Sequence, residues 1–528
     1  MSERSGPALG RAAATISGLT AAARVTGFVR VLVATAVLGT TFLGNTYQAA
    51  NGVPNVVFEL FAAGALHAVL VPTLVLAYDT GGREETERLA GGVLGMVLAG
   101  LAGVTALAMV ASPFVMRLLS AGIDDPVVRD AQITLGTVLL LVFLPQVVLY
   151  GVGLVATGSL HADSRFSAPA AAPMANNLIV IGAYLLFWWM RQGDGAWPGD
   201  PLTPLEVAVL AGGTTLGVVA LTAVPVAALA RQGFRLRPRW TPSDPQVRRL
   251  GRHGGWATGQ VVAVQGLLIV VLVLANAVAG GVVAFQFGTT YFLLPVALIA
   301  IPVTTAVFPA LSRQRREASF AASLSRATVA VVALLVPAVA ALVALAWPIT
   351  RVTVFGQATD AGLGALAAAI AWLAPGALGY GLVLLFTRAM YARGDARTPA
   401  LVLGGVLAVA AVVMVVSVPA SIEDRMAVLG GIQSAAYLVA ALVLAWQLGR
   451  ARQGQRPVLA GTARPIAAGL LAGAVMAGLA AAVGPSGRWS SLLLVVVAGA
   501  VGLVVYGGVL QVTGRGLRDL VRLDAVHG

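Results

Sequence analysis

Long apolar runs alternate along this chain with short polar turns. About 20 apolar residues cross the hydrocarbon layer as a helix. Read against arginine, Pro-Gly and acidic punctuation, the runs predict fourteen spans. They lie near 14–38, 42–77, 88–112, 131–158, 166–190, 204–230, 254–279, 281–311, 325–348, 360–392, 398–419, 426–448, 465–484 and 490–512. The pattern therefore predicts an all-α polytopic membrane protein.

Two of these spans break their own pattern. The first holds Arg24 and Arg30. Starting it after Arg30 leaves only Val31 to Gly44, which is too short to cross. It must begin near Ala14, with the two arginines on either side of the bilayer middle. They sit roughly 9 Å apart along a helix and about 120° around it. A central charge costs at least ~2.5 kcal/mol, and such residues face a bundle interior or a watery cavity. Snorkelling toward an interface is the competing reading. Span 2 carries Asn45, Gln48, Asn51, Asn55, Glu59 and His67. Gln48, Asn51, Asn55 and Glu59 share one helix face, and Pro54 frees a carbonyl between them. This stripe predicts a polar cavity opposite the arginines, or a polar seam between packed helices.

An internal repeat sets the larger organisation. Tyr150–Pro169 (YGVGLVATGSLHADSRFSAP) aligns without gaps to Tyr380–Pro399 (YGLVLLFTRAMYARGDARTP). A weaker echo joins Val69–Leu74 to Ala306–Leu311. Both pairs are six spans apart, so both copies keep one membrane orientation. Spans 1–6 and 7–12 thus read as two six-helix lobes related by a parallel pseudo-two-fold repeat, with two extra C-terminal helices. The expected divisions are 1–231 for the first lobe, 232–253 for a basic linker, 254–450 for the second lobe, and 451–528 for spans 13–14 and a short tail. Two lobes around a cationic cavity fit alternating access for an anionic substrate. The linker arginines fit either anionic lipid headgroups or a topology determinant.

Composition agrees with the pattern. The chain is 58% hydrophobic and only 10% charged, against roughly 25% in soluble domains. All 34 basic residues are arginine, and the net charge is +13. Placed on the spans, 25 arginines fall on the side of both termini, six on the other side, and Arg24, Arg30 and Arg388 within spans. That asymmetry puts both termini in the cytoplasm and accounts for the charge without nucleic acid. No cysteine is present, and the four histidines lack ligand spacing, so no metal or cofactor is expected. Span 7 has Gln260, Gln265 and Asn276 but no carboxylate, a poor donor set for a hard cation.

Five stretches now carry a resemblance. RVTGFVR (24–30), VPNVVFELFAAGAL…VLVP (53–72), LHADSRFSAPAAAPMANN (160–177), VFPALSR (307–313) and RAMYARGDARTP (388–399) run in order across spans 1 to 11. Together they resemble the MurJ/MviN family of lipid II flippases, in the multidrug/oligosaccharidyl-lipid/polysaccharide exporter superfamily. The resemblance implies a two-lobe flippase in the bacterial cytoplasmic membrane. It would move an undecaprenyl-pyrophosphate-linked peptidoglycan precursor from inner to outer leaflet by alternating access, and would not be an enzyme. It also implies a lateral groove near spans 13–14 for the lipid tail. By position, Arg24 and Arg30 match two span-1 arginines that bind pyrophosphate, and guanidinium forks suit phosphate oxygens. The expected substrate-binding residues are Arg24, Arg30, Asn45, Asn51, Asn55 and Glu59. The expected partners are a polyprenyl-pyrophosphate-linked saccharide and membrane lipids, with cell-wall synthesis proteins as candidates. Some positions depart from the family pattern. An arginine pair on span 2 is Phe58 and Glu59 here, an early Asp is Asn45, a Glu is Ala63, and a span-8 arginine is Thr290. Another polyprenyl-linked glycan, a non-transporting membrane scaffold and a cation-coupled multidrug antiporter are the alternatives.

Overall fold

A computed structural model describes residues 6–191, 197–241, 255–313, 317–356, 358, 360–450, 458–484 and 487–513. The side chain of His67, the linker beyond 241 and the tail beyond 513 lie outside the described residues. The regular elements among the described residues are all helical. The chain forms two compact units, Met1–Gln265 and Gly266–Gly528.

The first unit contains α1 (Gly6–Leu38), α2 (Phe42–Phe58), a π-helical turn (Glu59–Ala63), α3 (Gly64–Leu119), α4 (Pro126–Phe143), α5 (Gln146–Ala162), α6 (Ser167–Met190) and α7 (Pro204–Arg231). Its helix ends follow local chemistry. Gly39, with φ 66°, stops α1, and the Thr41 side chain caps α2 by accepting from Gly44 N–H at 3.1 Å. Asp125 caps α4 ahead of Pro126. Thr203 and Glu206 form a reciprocal capping box at α7, satisfying donors that no helix can satisfy internally. At 56 residues α3 is far longer than a bilayer is thick. It folds at Gly82, whose φ 66° and ψ −156° suit glycine alone. Thirteen described segments are long and apolar enough to cross a membrane, and one of them is the 50-residue Leu70–Leu119. Predicted spans 2 and 3 share this segment, and span 2 reaches it through α2 and the π turn.

The core of this unit lies among α3, α5 and α7. Leu70, Leu74, Val147, Val155 and Leu160 are fully enclosed there. The start of the linker joins them. Phe234 is buried and Leu236 packs beside it, while Arg235, Arg237 and Arg239 stay exposed. Arg239 N–H donates to Gly91 O at 2.8 Å. Gly91 and Gly95 allow this approach, because a Cβ on either would strike the backbone carbonyls of Arg237 or Arg239.

The second unit contains the end of α8 (Gly255–Asn276), α9 (Gly281–Pro295), a π-helical turn (Val296–Ala300), α10 (Ile301–Arg313), α11 (Glu317–Ala344), α12 (Ala346–Thr353), α13 (Asp360–Ala392), α14 (Arg397–Val416), α15 (Ile422–Arg450), α16 (Ala463–Val483) and α17 (Arg488–Val512). Its local geometry repeats that of the first unit at the aligned positions. At the end of α5, Arg165 N–H bonds Leu160 O at 2.8 Å and Ser164 N–H bonds His161 O at 3.0 Å. At the end of α13, Asp395 N–H bonds Met390 O at 3.0 Å and Gly394 N–H bonds Tyr391 O at 2.9 Å. Both are Schellman turns, with φ 56° at Ser164 and 78° at Gly394. The two π turns are separated by the same number of residues as Val69–Leu74 and Ala306–Leu311.

Candidate functional site

Within the first unit, the sequence places two cations on α1, and the packing of that helix decides where they point. Asn177 of α6 donates through Nδ2 to Ala23 O and to Thr26 Oγ1, both at 3.2 Å. Gly27 lies on the same face, where a Cβ would meet Asn177 Nδ2 at 3.3 Å. The RVTGFVR stretch is thus pinned to the end of the LHADSRFSAPAAAPMANN stretch. Positions 23, 26 and 27 define the face of α1 that meets α6, and Arg30 falls on that same face one turn on. Arg24 falls to its side. Consistent with this, Arg24 is exposed and Arg30 is half-buried.

Arg30 lies within electrostatic range of a set of tyrosine hydroxyls. Its charge acts on Tyr47, Tyr150 and Tyr184. These hydroxyls are ordered by two relays. Tyr184 OH donates to Tyr47 OH at 3.0 Å. Tyr47 OH lies 2.5 Å from Thr214 Oγ1, which itself donates to Leu210 O at 2.8 Å. Since Thr214 gives its proton to the backbone, Tyr47 is the donor to it. In the second relay Tyr150 OH donates to Gln146 Oε1 at 3.3 Å. Gln146 Nε2 donates to Thr215 Oγ1 at 2.8 Å, and Thr215 donates to Val142 O at 3.2 Å. Chains of this kind polarise one another and fix each proton's direction. Edge-on rings support them, with Tyr47 5.8 Å from Phe143 and 5.7 Å from Tyr184.

The span-2 stripe does not present a uniform polar face. Asn45 and Gln48 are buried within the unit, Asn51 is half-buried, Asn55 is exposed and Glu59 is half-buried. The stripe runs from the interior outward along α2. Asn55 folds back, donating from Nδ2 to Asn51 O at 3.3 Å. Glu59 opens the π turn, and its N–H reaches both Asn55 O and Val56 O. Pro54 lies about one turn before this slip of the hydrogen-bond register.

The structure therefore brings Arg30 to a hydroxyl cluster that sequence reasoning missed. The signal was present: a Tyr in NTYQ, a Thr pair in GGTTLG and a Gln directly after Pro145. A stripe counted only in Asn, Gln and Glu overlooks hydroxyls, which apolar spans conceal as readily as methyl groups. Chemically, α1 offers guanidinium donors suited to anionic oxygens, while the neighbouring hydroxyl protons are spent within the two relays. No group of His, Asp or Glu among the described residues is arranged to hold a metal ion.

Comparison with known proteins adds a lineage. A family model described as "Lipid II flippase MurJ" matches residues 34–498. A protein of Rhizobium meliloti (strain 1021) named "Probable lipid II flippase MurJ" is 28% identical over 397 residues, covering 74% of this chain and 72% of its own. "Lipid II flippase MurJ" of Burkholderia cenocepacia is 25% identical over 415 residues, covering 78% of each. Among solved structures, "Lipid II flippase MurJ, inward closed conformation" reaches a TM-score of 0.75 at 17% identity, covering 95% of this chain and 99% of that one. An inward-facing multidrug resistance MATE family transporter of the MOP superfamily reaches 0.64 at 14% identity, covering 82% and 96%. At these identities the two structures speak for the fold.

Proposed function

The chain belongs to the lipid II flippase MurJ family, and from that premise we propose that it carries lipid II from the inner to the outer leaflet of a bacterial cytoplasmic membrane. Transport of this kind makes and breaks no covalent bond. The observation that carries the reading to particular residues is the placement of Arg24 and Arg30 on α1, one exposed and one half-buried beside ordered hydroxyls.

In this reading both guanidiniums grip the pyrophosphate that links lipid to sugar. Charge-assisted hydrogen bonds contribute roughly 1.5–3 kcal/mol each, which offsets part of the cost of taking the anion out of water. Arg24, being exposed, meets the anion first. Arg30 then holds it against the hydroxyl cluster. Asn51, Asn55 and Glu59 line the outward-running end of the stripe and shape the space for the sugar attached to the phosphates. Asn45, buried, acts by holding α2 in place rather than by touching substrate. The segments 1–231 and 254–450 work as the two lobes of an alternating-access cycle, with both termini in the cytoplasm. Membrane potential supplies ~2.3 kcal/mol per charge per 100 mV, enough to bias the crossing of an anion.

The test is depletion of the protein in its own host, scoring surface exposure of lipid II, with Arg24→Ala and Arg30→Ala as rescue alleles. The expected result is internal build-up of lipid II that neither allele relieves. Unchanged export on depletion would sink the lipid II reading. Full rescue by both alleles would sink the role given to the arginines. Arg24→Lys keeps the charge but not the fork, and should rescue partially.

A further inference from the structure

A third intramembrane arginine, Arg388, takes no part in that grip. It lies in α13, four residues before the helix ends at Ala392, so about 6 Å from that end. Its Nη1 donates to Thr304 Oγ1 at 3.1 Å and to Thr305 Oγ1 at 2.8 Å. Both threonines belong to α10, just after the second π turn. The two hydroxyls are not equivalent. Thr304 is buried and spends its own proton on Ile301 O at 2.9 Å. Thr305 is exposed, and its proton goes to no backbone carbonyl among the described residues.

The rest of the guanidinium is unspent. Arginine has five N–H donors, and among the described residues the Nε and Nη2 edge of Arg388 makes no hydrogen bond. Among the described residues no charged group pairs with it either. One residue earlier, Thr387 Oγ1 is buried without a hydrogen-bond partner. Other arginines of this unit are committed elsewhere. Arg425 donates to Pro419 O at 2.8 Å and Leu274 O at 3.0 Å. Arg393 lies over Phe320 at 4.2 Å, and Arg450 over Trp446 at 4.4 Å. A half-buried cation with no counter-charge is expensive in a membrane. Here two hydroxyls hold one end of the fork and leave free the edge that grips a phosphate with parallel bonds.

We propose that Arg388, oriented by Thr304 and assisted by the Thr305 hydroxyl, is a phosphate-oxyanion subsite of the second unit, taking the phosphate or pyrophosphate headgroup of a lipid. Its position about 6 Å from the end of α13 suits contact with a headgroup. The same chemistry admits two sources, a membrane glycerophospholipid or a polyprenyl pyrophosphate. The inference does not need the Arg24–Arg30 reading, since every residue in it lies in α10 and α13.

Purified full-length protein tests it. Dissociation constants for undecaprenyl pyrophosphate, undecaprenol and phosphatidylglycerol are read by native mass spectrometry, alongside the lipid-induced shift in melting temperature. Each variant is made in the natural sequence and in an Arg24→Ala, Arg30→Ala background. Arg388→Gln should weaken at least one phosphate-bearing lipid about tenfold or more in both backgrounds, and leave undecaprenol unchanged. Thr305→Val should weaken the same lipid severalfold. A loss confined to undecaprenyl pyrophosphate identifies a polyprenyl pyrophosphate as the ligand, and a loss that includes phosphatidylglycerol identifies bulk lipid. Unchanged affinities for both lipids in Arg388→Gln overturn the proposal. If Arg388→Gln does not fold, Thr305→Val decides alone, and unchanged affinities there overturn it. An Arg388 effect that persists while the double arginine variant binds normally would separate this subsite from the failure of the first.

Discussion

The two units share backbone devices and differ in where they place charge. Each has a π turn in the corresponding span and a Schellman turn at the end of the repeated segment. Yet Gly158 in the first unit aligns with Arg388 in the second. The leading span of the first unit holds Arg24 and Arg30, whereas the part of α8 in the second unit holds one polar residue, Asn276. Backbone groups in a membrane must be satisfied internally, and both units meet that demand with the same kinds of turn. Side chains carry no such obligation, and in them the two halves differ.

The largest expected effect comes from exchanging the aligned pair. A Cβ at Gly158 would lie 3.3 Å from the side chains of both Leu70 and Leu74, each fully buried. Gly158→Arg would force an unpaired charge into that packing, at a cost above ~4 kcal/mol, and should yield no monodisperse protein. Arg388→Gly empties a half-buried site instead and should cost less than about 2 kcal/mol. Detergent-extracted yield and thermal unfolding compare the two. Similar tolerance of both exchanges would erase the contrast drawn between the units.

Next in size is a contrast within the first unit, between helix packing and the docked linker. Gly91→Val or Gly95→Val would push the Arg235–Arg239 segment off α3, an overpacking of about 1–3 kcal/mol. The helices should stay folded while trypsin cleavage after Arg235 and Arg239 rises, as mapped by mass spectrometry of the fragments. Unchanged cleavage at those two bonds would show that the glycines are not what admits the segment.

Much of the fold was legible because spans are long and their punctuation is chemical. The tenth predicted span, 360–392, coincides with α13. The repeat was legible as well, since its turn depends on side-chain identity at a few positions. Other features left little trace in the pattern. A π turn shifts the hydrogen-bond register without changing hydropathy, so Glu59–Ala63 and Val296–Ala300 read as plain helix. The docked linker depends on what Gly91 and Gly95 lack, which no count of apolar residues registers. The candidate site was half legible. Charge inside a span exposes Arg24 and Arg30, but the burial of Asn45 depends on neighbours distant in sequence. Tyr47, Tyr184 and Thr214 meet only when α2, α6 and α7 pack together.

The smallest predicted difference sets one buried tyrosine of each unit against the other. Tyr47 OH accepts from Tyr184 and donates to Thr214. Tyr506 OH donates to Ala333 O at 2.7 Å, a carbonyl inside α11. Each made bond is worth about 1 kcal/mol, and a buried group left unpaired loses more. Tyr47→Phe strands a Tyr184 proton and a Thr214 lone pair, and should cost about 2 kcal/mol. Tyr506→Phe strands one carbonyl lone pair and should cost about half as much. Melting temperatures of the two variants in one detergent measure the difference. Tyr47→Phe should also weaken binding of undecaprenyl pyrophosphate, because the hydroxyl cluster beside Arg30 loses its central member, while Tyr506→Phe should leave that binding unchanged. Equal stability losses with equal binding would mean that the Tyr47 relay is only packing, and that the polar heart of the first unit is no different in kind from the interior of the second.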